Sequence, residues 1–187
     1  MNTLIEEQSG RYQLCGPSAF YHYGWDNQIP NRLYAYNSRI TGERKVGSVA
    51  MTLIKLTDER LGETETVKTP EEGIDAVYSS RVRSLVDAVY DWSRFDSLPR
   101  GYGWIRAELA REPKVATEIV RVALRYGNVS TLRRLGKLLE FEGVTGSLLR
   151  KLEGKLARSS ALIPWVPTLP KRGTVDQRWG VVVNYEL

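Results

Sequence analysis

The sequence has few of the residues that disulfides, most metal sites and nucleophilic catalysis require. Its 187 residues include one cysteine, Cys15, and one histidine, His22. One cysteine excludes an internal disulfide and a cysteine-based zinc site, and one histidine excludes a site with several imidazole ligands. We expect Cys15 to lie in the core and His22 to be structural. The sequence therefore predicts no cofactor and a protein that is not an enzyme.

Long hydrophobic runs are also absent. The best apolar stretch, residues 49–56, is much shorter than the roughly 20 residues that a membrane-spanning helix needs. The first ten residues lack the basic start and apolar run of a secretory signal. We therefore expect a cytoplasmic protein without a membrane segment, in which residues 1–9 are a leader. Phosphate-binding and dinucleotide-binding glycine motifs are missing as well.

The hydrophobic pattern predicts an α+β fold in one domain over 10–187. Alternating and β-branched residues indicate a strand-rich region at 10–78, with strands near 33–37, 49–56, 65–68 and 74–78 and turns at 41–44 and 70–73. Helical spacing follows over 79–158, with a helical bundle at about 104–158. A last strand is expected within 178–184. We expect it to join a small mixed or antiparallel sheet built by the N-terminal half.

The net charge of +5 is unevenly distributed along the chain. Residues 1–99 contain 11 basic and 14 acidic side chains, whereas residues 100–158 contain 13 basic and 6 acidic ones, a net charge of +7. Such asymmetry is typical of a chain that binds a polyanion or an acidic partner.

The basic residues of this segment flank its apolar helix stripes. If three consecutive helices each bury one face, their cations point outward and can form a strip suited to phosphates or carboxylates. We predict that seven residues form this surface: Arg121, Arg125, Arg133, Arg134, Lys137, Arg150 and Lys151.

Two alternatives remain open at this point. The acidic residues between Asp58 and Glu65 could belong to a small metal-dependent nuclease or transferase. A second alternative is a protein-interaction module whose basic face meets an acidic partner and does not bind nucleic acid. Steep weakening of DNA binding with salt would separate a phosphate surface from such a module.

Several stretches taken together resemble the antitoxin domain of the AbiEi family, regulators of type IV toxin–antitoxin and phage-defence operons. The most specific piece is Arg-Arg-Leu-Gly-Lys-Leu-Leu-Glu at 133–140 combined with Arg-Trp-Gly at 178–180. The other similar stretches occur in the order of the family, at 10–19, 23–30, 49–56, 79–87 and 126–132.

The resemblance implies a bacterial antitoxin that neutralises a nucleotidyltransferase-like toxin, with the basic helices assisting DNA binding as part of a transcriptional regulator. Family members usually carry an N-terminal winged helix-turn-helix. Only about ten residues precede the similar region here, so we expect no autonomous operator recognition.

Overall fold

The computed structural model describes residues 10–68, 75–156 and 161–187. The chain divides into two compact units, Met1–Ser84 and Leu85–Leu187. The α+β class is confirmed, and a single domain over 10–187 stays a prediction. The predicted leader 1–9 and turn 70–73 lie outside the described residues. Within the described ranges, no helix is both long and apolar enough to cross a membrane.

A six-stranded mixed sheet dominates the first unit, where the sequence predicts a small mixed or antiparallel sheet with four strands. Its order is β3-β4-β2-β1-β6-β5, with β1/β6 and β2/β4 parallel and the other neighbours antiparallel. The strands are β1 Tyr12–Leu14, β2 Leu33–Asn37, β3 Gly42–Val46, β4 Val49–Lys55, β5 Thr64–Lys68 and β6 Asp75–Ser79. The sequence expectation of a turn at 41–44 was wrong, because this stretch pairs along β4 as β3.

The core of this unit lies on one face of the sheet, where Leu14, Ala35, Met51 and Leu53 are buried together. Helix α1, Gly16–His22, follows β1 directly and has a proline in its first turn, where a missing N–H costs no hydrogen bond. Cys15, between β1 and α1, is fully buried, which confirms its predicted place in the core.

The second unit is mainly helical. Its helices are α2 Arg81–Tyr90, which begins in the first unit, α3 Trp92–Phe95, α4 Arg100–Arg111, α5 Val115–Tyr126, α6 Val129–Phe141 and α7 Ser147–Glu153. The predicted apolar stripes are confirmed on α5 and α6, whose stripe residues are buried, Val115 excepted. On α7, Leu149 and Leu152 are buried. Helix α6 packs against α5, α7 and the C-terminal strand.

The C-terminal strand does not join the first sheet, so this part of the sequence prediction was wrong. Strand β9, Val181–Val183, lies between β7, Ile163–Pro164, and β8, Thr174–Asp176, in a separate three-stranded sheet. Its partners come from the preceding chain segment, so pairing requires only short loops to close. Strands of two and three residues in a proline-containing segment leave little periodicity to detect.

Helix α6 has a side-chain cap that can be tested. Asn128 Oδ1 accepts a hydrogen bond from the Thr131 backbone N at 2.9 Å. We predict that Asn128→Ala lowers the free energy of unfolding by about 1 kcal/mol, because an N–H at the helix start loses its acceptor. Asn128→Asp, which retains an acceptor oxygen, is the control and should stay near wild type in urea unfolding. Equal loss in both variants would contradict this role.

Candidate binding groove

The structure separates the seven predicted cations into two groups. Arg133, Arg134 and Lys137 lie on α6 and are wholly or largely buried, whereas the remaining four on α5 and α7 are exposed: Arg121, Arg125, Arg150 and Lys151. The expectation that all seven point outward was therefore wrong for the three cations of α6.

Arg133 and Arg134 are each 6% exposed and bind backbone carbonyls of the C-terminal segment. Arg133 Nη1 donates to Ala161 O at 2.8 Å. Arg134 Nε lies 3.2 Å from Trp165 O, and Trp165 Nε1 donates to Arg134 O at 3.3 Å. Burial lowers the pKa of Arg134. These side chains attach residues 161–165 to α6 rather than presenting charge to a partner.

Lys137 completes this attachment one turn further along α6. Its Nζ lies 2.9 Å from Asp176 Oδ2, with the lysine and aspartate side chains only 18% and 15% exposed. Asp176 ends β8, so the ion pair fixes the short sheet to the helix. A largely buried lysine that is already paired with an aspartate is poorly placed to bind a phosphate.

Trp179 fits against α6 at Gly136. A Cβ added at Gly136 would overlap the indole ring, so only glycine permits this approach. Trp179 Nε1 donates to Glu140 Oε2 at 2.8 Å. Arg178 forms ion pairs with Glu140 and, at 2.6 Å, with Glu153, and these carboxylates raise the pKa of Arg178. The two sequence stretches that carry the strongest family resemblance are thus packed together.

Three of the four exposed cations of α5 and α7 line a groove of about 550 Å³. Arg121, Arg125 and Lys151 supply its charge. The remaining lining residues, which sequence reasoning did not assign to a site, are Thr117, Val120, Leu124 and Leu148. Of these, Val120 is buried and Leu124 and Leu148 are half-buried, so the floor is apolar.

Arg150 is exposed on α7 but does not line the groove. The structure therefore brings together three of the seven predicted residues. The four missed lining residues lie on the two amphipathic helices that the sequence identifies, but the pairing of α5 with α7 is a tertiary contact that periodicity does not predict.

The acidic region of the first unit has different surroundings. Asp58–Arg60 forms one turn of 3-10 helix, and Glu65 Oε2 lies 3.0 Å from the Tyr23 hydroxyl, which donates to it. Burial, with a contribution from Glu65, raises the pKa of Tyr23. In the part of the chain that the structure describes, there is no group of three or more His, Cys, Asp or Glu residues placed to hold a metal ion.

His22 lies in an aromatic cluster near this region. Its ring stacks on Tyr78, with centroids 4.1 Å apart and planes 13° from parallel, and it meets Tyr23 edge-on at 4.8 Å. These ring contacts agree with the structural role predicted for the single histidine.

Comparisons with known proteins show a similar fold in one solved structure but do not show a family. No family model matches the sequence, and no curated protein matches it. The chain is similar to the crystal structure of the RV2827C protein from Mycobacterium tuberculosis, with a TM-score of 0.55 and 15% sequence identity. The similarity covers 96% of this chain and 64% of that one, so this chain spans less than two thirds of that structure's length. At this identity the likeness shows the fold alone.

The burial of the α6 cations gives a prediction for charge reversal. Arg134→Glu should lower the free energy of unfolding by about 3 kcal/mol or more, since it places a carboxylate against backbone carbonyls in a buried site. Arg150→Glu, at an exposed position, should change it by less than about 0.5 kcal/mol. Chemical denaturation of both variants measures the difference. Similar stabilities would show that Arg134 is not held as described.

A second prediction concerns the contact between Gly136 and Trp179. Alanine normally stabilises a helix relative to glycine, by about 1 kcal/mol. At position 136 we expect Gly136→Ala to destabilise the protein by about 1–3 kcal/mol, because displacing the packed indole outweighs that gain. Gly103→Ala is the matched control, because Gly103 lies in α4 and a Cβ added there would have no neighbour within 4 Å. Thermal unfolding should shift in opposite directions; a stabilised Gly136→Ala would contradict the packing.

Proposed function

We propose that this chain is an antitoxin-type regulatory protein that acts by binding, through the groove formed by α5 and α7. The observation that carries the proposal is the convergence of Arg121, Arg125 and Lys151 around an apolar floor. An apolar groove bordered by charged side chains is one of the recurring surfaces to which a segment of a partner protein binds. The proposal places the protein in the cytoplasm.

The identity of the target in this proposal comes from the sequence. The AbiEi-like stretches at 133–140 and 178–180 support neutralisation of a nucleotidyltransferase-like toxin. Their residues form the packing between α6 and the C-terminal segment, so they support a shared fold rather than a shared binding surface. The groove then supplies the surface through which such a fold can act.

Binding to DNA backbone at an operon is the second candidate. Four of the predicted cations remain exposed, and exposed arginine and lysine side chains are the usual partners of phosphates: Arg121, Arg125, Arg150 and Lys151. If DNA is the partner, reversing the charge of any one of the four residues should weaken DNA binding by a similar factor. The affinity for DNA should also fall steeply as the salt concentration rises.

The proposed function can be tested by growth rescue. The first step is to determine whether the neighbouring reading frame encodes a nucleotidyltransferase-like protein. The full chain is then expressed in cells together with that protein. We expect growth to be restored by the wild type and by Arg150→Glu, and restored far less by the double variant Arg121→Glu/Lys151→Glu. The three proteins should unfold at similar temperatures, since the altered residues are exposed.

Absence of rescue by the wild type would refute the antitoxin role. Equal rescue by the wild type and the double variant would refute the groove as the surface involved.

A further inference from the structure

The groove between α5 and α7 has two kinds of surface that a ligand must match together. Its floor is apolar, formed by buried Val120 and half-buried Leu124 and Leu148. Its edges carry the cations Arg121, Arg125 and Lys151, and none of its lining residues is acidic. A matching ligand therefore places apolar groups in the centre and anionic groups along the sides.

We propose that this groove binds an acidic amphipathic helix of a partner protein. Such a helix has an apolar stripe at positions i, i+3, i+4 and i+7, and carboxylates on either side of the stripe. The stripe covers Leu124 and Leu148, and the carboxylates pair with Arg121, Arg125 and Lys151. The inference rests on the proposed function in one respect, that the groove is the surface through which the protein acts.

The apolar floor favours a helix over a nucleic-acid backbone. A phosphate backbone would meet the cations but leave Leu124 and Leu148 in contact with water, so their burial would contribute nothing to affinity. The row of cations also does not continue along α6, where Arg133 and Arg134 are buried by the C-terminal segment.

The present partners of the groove cations can be exchanged for ligand carboxylates at little cost. Arg121 pairs with Glu118 at 2.8 Å, but both side chains are 49% exposed, and exposed ion pairs contribute little to stability. Arg125 Nε donates to the Tyr126 hydroxyl at 3.1 Å, a neutral acceptor. A carboxylate is a stronger acceptor for a guanidinium than a phenol hydroxyl.

Three labelled probes test this inference on the full chain by fluorescence anisotropy. The first is a designed helical peptide of about 18 residues, five turns long, with a leucine stripe flanked by glutamates. The second has the same composition in scrambled order, so that no stripe forms. The third is a DNA duplex of about 20 base pairs, which presents phosphates without an apolar face.

We expect the amphipathic peptide to bind at least about tenfold more tightly than the scrambled one, a difference that the stripe alone can supply. Arg121→Glu/Lys151→Glu should weaken this binding by about tenfold or more. Arg150→Glu should leave it nearly unchanged, because Arg150 does not line the groove. Leu148→Gln, which keeps the charges of the groove and makes part of its floor polar, should also weaken binding of the amphipathic peptide.

The inference is overturned if the two peptides bind equally, if neither binds, or if the duplex binds more tightly and displaces the amphipathic peptide. Its failure can be told apart from failure of the proposed function. If the peptide binds but growth is not rescued, the antitoxin role is refuted and binding of an acidic amphipathic helix is supported. If rescue depends on the groove but the peptide does not bind, the antitoxin role is supported and binding of such a helix is refuted.

Discussion

The indole ring of Trp179 lies directly against α6, in the space that a side chain at position 136 would occupy. A hydrogen bond from its Nε1 to Glu140 fixes the ring along the helix. Because Trp179 is anchored to α6, the residues on either side of it also lie close to this helix. The C-terminal segment is therefore held against this side of α6. That placement makes Arg133 and Arg134 binding partners for carbonyl groups and removes their charge from the surface. The packing of Trp179 on Gly136 thus acts together with these hydrogen bonds and with the Lys137–Asp176 ion pair to cover the cations of α6.

Of the seven predicted cations, the four that remain exposed lie on α5 and α7, and three of them line a groove with an apolar floor. This arrangement changes the chemistry expected of the basic segment. A continuous strip of seven cations would suit a phosphate backbone, whereas three cations around Leu124 and Leu148 suit a ligand with both apolar and anionic parts. The net charge of +7 over 100–158 is therefore a poor guide to the binding surface, since part of it is used inside the unit.

The elements that the sequence predicts well have strong local periodicity. The apolar stripes of α5 and α6 specify a buried face without information from distant residues. The apolar run of β4 predicts a strand buried on both faces, and its neighbouring residues Leu53 and Ile54 are both buried. Residues 133–140 and 178–180 are also informative, but as a packing motif that joins two distant stretches. The strands β7 to β9 and the burial of Arg134 depend on contacts that periodicity does not encode. On sequence alone, an arginine beside an apolar stripe is equally compatible with solvent and with a buried carbonyl.

The division of the cations into buried and exposed groups is most directly measured by the rate at which each arginine in the folded chain reacts with phenylglyoxal, followed by mass spectrometry. We expect Arg121, Arg125 and Arg150 to react quickly, and Arg133 and Arg134 to react only as the protein unfolds, since each is 6% exposed. In the presence of the amphipathic acidic peptide, protection should appear at Arg121 and Arg125 but not at Arg150. Fast reaction of Arg133 and Arg134 in the folded protein would contradict the account.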